Sequence, residues 1–268
     1  RRAHAGPMEP FRPAPIAEVM AAIAEHQPAV VFAPHVETSA GMILPDDYLR
    51  AVADAVHGVG GLLVLDCIAS GTVWVDMIAT GVDVLISAPQ KGWSASPCSA
   101  LVMMSAAGKV AVEASTSTSF ACDLGKWLQV MQAYENGGHA YHATMPTDAL
   151  ISFCRVMNET KAYGFDKVRD EQIELGARVR QVLAGRGFVS VAAEGFGAPG
   201  VVVSYTDDPA IQNGSKFAAQ GMQIAAGVPL RCDEGDDFVT FRLGLFGLDK
   251  LHNIDRTVES LEKALAAL

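Results

Sequence analysis

The chain has 268 residues, of which 50% are hydrophobic and 19% are charged, and its formal net charge is -10. This composition supports a large core in one large α/β domain or in up to two ordinary domains, and it argues against disorder. The acidic balance argues against a nucleic-acid or anionic-membrane partner, because both require a basic protein surface.

The cysteines and the apolar runs indicate the cellular compartment and whether the chain spans a membrane. Five cysteines contain no C-x-x-C pair, so we expect reduced thiols in a cytoplasmic compartment, with neither a disulfide framework nor a zinc site. No apolar run reaches membrane-spanning length. The first residues, "RRAHAGPMEPFRP", have no hydrophobic stretch behind their arginines, which argues against a secretory signal.

The first half of the chain alternates helical patterns with short apolar runs. Helices are expected at residues 16–25 and from Asp46, as N-cap, to the glycines at 58–61; strands are expected at 29–33, 62–66, 82–87 and 100–104. This alternation indicates right-handed crossovers in a mostly parallel sheet, and uninterrupted apolar strands indicate that helices cover both faces. The predicted fold is therefore α/β, a three-layer sandwich.

The pattern changes after Pro146. A helical stretch over residues 148–183 has a predicted break at Tyr163-Gly164, and strands are expected at 188–192, 201–205 and 238–243. A helix is expected after Pro209, and Asp249 is expected to cap a final helix that reaches Leu268. We therefore predict a large domain over residues 1–147, followed over 148–268 by a long linking helix and a smaller C-terminal α/β domain.

Three polar residues follow successive strands of the first half. Thr38 lies in "HVETSAG", Asp66 ends "LLVLD", and Lys91 follows "VLISAPQ". Because the carboxyl ends of parallel strands line one crevice, we expect the three residues to converge there. Two alternatives stay open: Asp66 as a helix cap and Lys91 as a solvated turn cation.

An aspartate and a lysine that face each other across a pocket suit pyridoxal phosphate. This cofactor needs a lysine amine for its Schiff base and an acidic partner that keeps its pyridine nitrogen protonated. The same lysine can then move a proton to and from the substrate's Cα.

The chain also resembles the class V aminotransferases of fold type I, in particular the alanine–glyoxylate and serine–pyruvate branch. The stretches that carry the resemblance, in the family's order and spacing, are "HVETSAG", "LDCIASG", "APQKGW", "CDLGKWLQVM", "HAYHATMP" and "FRLGLFG". The resemblance implies that Lys91 forms the Schiff base and that Asp66 pairs with the pyridine nitrogen. It also implies that Ile68 packs on the ring, that Thr38 bonds near it, and that Gln90 contacts the phosphate.

Two further segments gain a role from the resemblance. In similar proteins "HAYHATMP" reaches across a homodimer interface, so Tyr141 and Thr144 would contact the neighbour's cofactor phosphate. The alternative for this segment, a metal pair of His139 and His142, lacks a third ligand nearby, so no metal is expected.

Arg242 lies in the apolar run "FVTFRLGLF", where an unpaired guanidinium is costly. The family places its substrate-carboxylate arginine here, and a guanidinium can grip a carboxylate with two hydrogen bonds. The alternative is an ion pair with an internal acid such as Asp236 or Asp237.

The sequence departs from the family at several places. Ala88-Pro89 replaces Gly-Ser before the Gln-Lys pair, and Cys98 replaces a usual glycine. The family's N-terminal region, with a glycine turn for the phosphate and an aromatic residue on the ring, has no match, so an N-terminally incomplete fold is expected.

The function that follows is transfer of an amino group between small α-amino acids, alanine- or serine-like, and 2-oxo acids, glyoxylate- or pyruvate-like. Two alternatives remain: a lyase or desulfurase that uses the same cofactor, and a truncated, non-catalytic dimerisation module.

Overall fold

The computed structural model describes residue 6 and residues 8–232 and 234–268. Most of the opening stretch "RRAHAGPMEPFRP" before Met8, including both arginines discussed above, lies outside these residues. The first half contains, in chain order, α1 (Ile16–His26), β1 (Val30–Pro34), β2 (Val36–Glu37), β3 (Met42–Ile43), α2 (Asp46–Gly58), β4 (Leu62–Asp66), α3 (Met77–Thr80), β5 (Val84–Ser87), β6 (Leu101–Met104), α4 (Ala106–Glu113) and α5 (Leu124–Glu135). The second half contains α6 (Thr147–Tyr163), α7 (Phe165–Gly185), β7 (Val201–Tyr205), α8 (Pro209–Gln212), α9 (Ser215–Ala219), β8 (Ala225–Ala226), β9 (Thr240–Gly244), α10 (Leu248–Leu251) and α11 (Ile254–Ala266).

A four-stranded sheet in the order β1-β4-β5-β6 organises the first half. The first three strands are parallel and β6 is antiparallel to β5. The carboxyl ends are in register, because Pro34 pairs with Asp66 and Asp66 pairs with Ile86. The predicted α/β fold with a mostly parallel sheet is confirmed, and the predicted crevice lies at these aligned strand ends.

Helix α2 shows how the sequence builds one face of this sheet. Its buried residues are Leu49, Val52, Ala53 and Val56, and they pack in one cluster with apolar residues of β4. Full burial of a leucine or valine side chain contributes roughly 1.5–3 kcal/mol. Asp46 is the first helical residue and not the N-cap as predicted: Pro45 holds the cap position without a side-chain hydrogen bond.

The outer edge of the sheet differs from the expectation that helices cover both faces. Phe32 of β1 is 74% exposed and Val30 is 41% exposed. Within the described residues, β1 pairs with β4 only.

The second half contains a three-stranded antiparallel sheet in the order β7-β9-β8. Helices α7 and α11 supply apolar residues to its core. The helix break is confirmed, since α6 ends at Tyr163 and Gly164 adopts a φ of 110° before α7 begins.

Two predictions for this half are wrong. Residues 188–192 form only isolated bridges, Ser190 to Ser204 and Ala192 to Phe11, instead of a strand. Asp249 lies inside α10, and the final helix begins at Ile254 after Asn253. The first error comes from tertiary pairing that a local pattern does not contain, and the second comes from a local break at His252 and Asn253 between two helices.

The first described residues pack against the second half. The Phe11 amide donates to the Val191 carbonyl over 2.6 Å, and the Tyr205 hydroxyl donates to the Glu9 carbonyl over 2.8 Å. The Phe11 ring lies 5.6 Å, edge to face, from that of Phe238. The segment around Phe11, which precedes the larger sheet in sequence, thus packs against the smaller sheet. The predicted division of the chain at residue 147 stays a prediction.

In the part of the chain that the structure describes, no helix is both long and apolar enough to cross a membrane.

Candidate functional site

Asp66 occupies the carboxyl end of β4 and is exposed there. One carboxylate oxygen accepts the amide of Ile68 over 2.9 Å, which fixes the turn that follows the strand. Within the described residues the other oxygen has no hydrogen-bond or ion-pair partner. Asp66 is therefore held in position by one oxygen and can bind a cationic group with the other.

Lys91 lies in the turn after β5, against the loop that follows Asp66. A Cβ placed on Gly92 would lie 2.0 Å from the Gly71 carbonyl oxygen, so only glycine permits this contact. No ion pair or hydrogen bond engages the Lys91 ammonium within the described residues. The Lys91 ammonium forms a cation–π contact with the Phe246 ring, whose centroid lies 5.7 Å from Nζ. The lysine is thus an unpaired amine beside the loop that contains Asp66.

The turn that contains Thr38 is shaped by its neighbour Glu37. The two carboxylate oxygens of Glu37 accept the amides of Ser39 and Ala40 over 3.0 and 2.7 Å. Gly41 closes the turn in the left-handed region, with a φ of 64°. Thr38 is half-buried, and its side chain takes part in no hydrogen bond of the described residues. Sequence reasoning missed Glu37, because the side chains that usually accept such local amides are those of Ser, Thr, Asn and Asp.

A buried histidine joins the loops after β1 and β4. His35 Nδ1 lies 2.7 Å from the Ser70 hydroxyl, and burial lowers the pKa of His35 to about 4. The imidazole is therefore neutral at physiological pH. Burial also raises the pKa of the neighbouring Cys67 thiol to about 12, so this cysteine is poorly reactive.

Arg242 is half-buried on β9, and its Nε donates to the Ala226 carbonyl over 2.9 Å. Within the described residues it forms no ion pair, either with Asp236 or with Asp237. Its two terminal amino groups have no hydrogen-bond acceptor among the residues that the structure describes. The carboxylate-binding role stays a prediction.

The segment after β9 brings this strand to the lysine turn. Phe246, four residues after Arg242, contacts Lys91 as described above, and the Leu248 amide donates to the Ser94 hydroxyl over 2.9 Å. The turn that contains Lys91 is thus tied to the smaller sheet. Neither Phe246 nor Ser94 had a signal in the sequence that pointed to this role.

Gln90, Tyr141 and Thr144 lie at the surface. The Tyr141 hydroxyl lies 3.2 Å from that of Thr144, and no hydrogen bond joins either residue to Lys91 or Asp66 within the described part. Gln90 has no hydrogen bond there either. Their assignment to a phosphate stays a prediction.

His142 packs into the protein instead of standing free beside His139. Its Nε2 lies 2.8 Å from the Phe120 carbonyl oxygen, and its ring lies 4.3 Å from that of Phe120 and 5.1 Å from that of Trp127. Among the described residues no three His, Cys, Asp or Glu side chains are grouped as metal ligands would be.

Comparison with known proteins gives the same fold. No protein-family model matches the chain. An alanine–glyoxylate aminotransferase of Felis catus is 26% identical over 270 residues, which cover 92% of this chain and 60% of the relative. The chain therefore spans about 60% of that curated relative's length.

Solved structures agree over nearly the whole chain. The alanine–glyoxylate aminotransferase of Nostoc sp. matches with a TM-score of 0.78 at 20% identity, covering 96% of this chain and 66% of that one. An aspartate aminotransferase of Thermus thermophilus matches with a TM-score of 0.76 at 23% identity, covering 95% and 68%. These matches show the fold, that of fold type I transferases, and confirm the resemblance to class V aminotransferases.

Proposed function

We propose that the chain acts as a pyridoxal-phosphate-dependent aminotransferase on small α-amino acids and 2-oxo acids. The observation that carries this proposal is the pairing of two loops by Gly92 and Gly71, which sets the unpaired Lys91 amine beside the loop that contains the half-engaged Asp66. The similarity to alanine–glyoxylate aminotransferases supports the reaction class.

The residues present fit the cofactor. Its aldehyde needs an amine without a competing carboxylate, and Lys91 has none in the described structure. Its pyridine nitrogen needs an acid with an available oxygen, which Asp66 has. The Thr38 hydroxyl, which makes no hydrogen bond within the described residues, can bond to the ring substituent, and the half-buried Ile68 offers an apolar surface.

When bound, the cofactor supplies an electron sink for the charge that develops at the substrate's Cα. Lys91 Nζ would hold the cofactor and then move the proton at Cα. The Asp66 carboxylate would keep a proton on the facing nitrogen, because a negative charge nearby favours the protonated form. The terminal amino groups of Arg242 would grip the substrate carboxylate and orient the amino group toward Lys91.

Lysine replacement tests this function directly. Purified protein incubated with pyridoxal phosphate should turn yellow, and borohydride reduction should attach the cofactor irreversibly to Lys91. Lys91→Ala should abolish the label and the turnover while leaving the fold unchanged, whereas Lys109→Ala, on exposed α4, should retain both. A Lys91→Ala protein with near-normal turnover and no added amine would falsify the assignment.

The product identifies the reaction. Alanine or serine with glyoxylate should yield a new amino acid and a new 2-oxo acid. Release of sulfide or ammonia would point to the lyase or desulfurase, and absence of any bound cofactor would point to the non-catalytic module.

We also propose a homodimer in a cytoplasmic compartment. The exposed apolar surface around Tyr141 supports the dimer, and the lack of a disulfide among the described cysteines supports a reducing environment. Sedimentation measurements test the first proposal, and fractionation of the source cells tests the second.

A further inference from the structure

Arg180 of α7 is a cation enclosed by protein, and no acidic residue of the described part of the chain forms an ion pair with it. Its Nε and Nη1 are buried and have no hydrogen-bond partner in the described residues. Burial lowers the pKa of Arg180 to about 10, so the side chain remains charged at neutral pH. Since an unpaired buried charge is destabilising, its retention calls for a specific role.

The remaining nitrogen of Arg180 joins three segments that are distant in sequence. Nη2 donates to the Gly41 carbonyl over 3.2 Å and to the Val201 carbonyl over 3.3 Å. Gly41 ends the turn that contains Thr38, and Val201 begins β7. Hydrogen bonds from a charged donor are stronger than those between neutral groups, so this bridge restrains both carbonyls.

The packing around the guanidinium allows little movement. A Cβ on Gly197 would lie 2.6 Å from Arg180 Nε, so the loop lies directly on the guanidinium. Backbone bonds reinforce the junction: the Ala198 amide donates to the Gly41 carbonyl and the Ile43 amide to the Phe196 carbonyl, both over 2.8 Å.

We propose that Arg180 is a positioning residue that fixes the turn at residues 37–41 to the strand pair β7–β9. Val203 of β7 pairs with Arg242 of β9, so the bridge connects the turn that contains Thr38 with the strand that contains Arg242. Arg180 thereby sets the position of the cofactor-side hydroxyl relative to the substrate-side guanidinium. The roles of Thr38 and Arg242 rest on the proposed function.

Hydrogen exchange tests the bridge without any cofactor. In Arg180→Gln, the amides of Ile43 and Ala198 should lose protection by about tenfold or more, the effect of one charge-assisted hydrogen bond. Amides of α11 should change much less. Arg178→Gln is the matched control, because Arg178 lies on the same helix and pairs at the surface with Asp255. Equal loss at all amides, or no loss at Ile43 and Ala198, would overturn the proposal.

A double-mutant cycle tests whether the bridge acts through Thr38. Arg180→Gln should weaken pyridoxal phosphate binding about tenfold in the wild-type background and much less in Thr38→Val, because the two changes disrupt one contact. Arg180→Lys should restore part of the affinity, since an ammonium still reaches one carbonyl. Fully additive effects would overturn the role in positioning. If the wild-type chain binds no cofactor, the proposed function fails, while hydrogen exchange still decides the bridge.

Discussion

At the scale of single residues, two sets of cations differ in their partners. Arg169, Arg178 and Arg256 pair with nearby acids at the surface, where such ion pairs contribute at most about 1 kcal/mol. Lys91 and Arg242 have no acidic partner in the described residues, and both are partly enclosed. A partly enclosed cation without an acidic partner is better explained by a ligand than by stability.

Arg242 gives a prediction that separates binding from stability. In Arg242→Lys the charge remains but the planar pair of donors is lost, so carboxylate binding should weaken by about 1.5–3 kcal/mol. We expect a large rise in the KM for the amino acid, with unchanged cofactor binding and melting temperature. Arg256→Lys, at an exposed ion pair, is the control and should leave KM unchanged.

The opposite pattern would rule out this role. If Arg242→Lys melts early and binds the amino acid normally, Arg242 stabilises the smaller sheet and does not bind substrate.

At the scale of elements, the sequence predicts the bounds that local residues determine, and it does not predict pairing between distant segments. The bounds of β4 and β7 and the break at Gly164 agree with prediction, because apolar runs and a glycine determine them. The direction of β6 could not be predicted, since it depends on pairing with β5. Residues 188–192 show the same limit: their bridges depend on Phe11 and Ser204.

Helix α7 offers a matched pair of glycines for a stability prediction. A Cβ on Gly176 would lie 2.6 Å from the Pro199 backbone, whereas a Cβ on Gly185 would meet nothing within 4 Å. Gly176→Ala should therefore destabilise the protein by about 1–3 kcal/mol through overpacking. Gly185→Ala should stabilise it by up to about 1 kcal/mol, because alanine loses less backbone entropy on folding.

Urea denaturation of the two variants checks this pair. Midpoint shifts of opposite sign are expected, with the slope unchanged. Shifts of the same sign would show that the contact between α7 and the Pro199 loop is not tight in solution.

At the scale of the whole molecule, sequence motifs predicted where two of the proposed site residues lie. Lys91 and Asp66 could be placed at one edge of the sheet because parallel strands align their carboxyl ends, and their roles stay a prediction. Arg180 could not be placed, since nothing on an amphipathic helix marks one arginine as buried beneath a loop. The role predicted for Tyr141 and Thr144 requires a second subunit, and both side chains lie at the surface of the single chain.

A second subunit is also the best explanation for the apolar surface of residues 120–151. Large exposed apolar residues there are Phe120, Met131, Tyr134, Tyr141, Met145 and Ile151. The packing of His142 on Phe120 and Trp127 joins α5 and the Tyr141 segment into one surface. Large apolar side chains exposed in such number within one segment are typical of an interface between subunits.

Met131→Glu should convert the proposed dimer to a monomer, because a carboxylate buried at an apolar interface loses its hydration without gaining a partner. Met131 is 59% exposed in the single chain, so the substitution should leave the monomer folded. Ile78→Glu is the control: Ile78 is 91% exposed on α3, and the variant should remain dimeric.

Sedimentation velocity measures the oligomeric state of each variant. A parallel titration with pyridoxal phosphate should show weaker binding by Met131→Glu alone, since Tyr141 and Thr144 then contact no neighbouring site. A wild-type chain that sediments as a monomer, or a Met131→Glu monomer that binds the cofactor normally, would mean that the site is complete within one subunit.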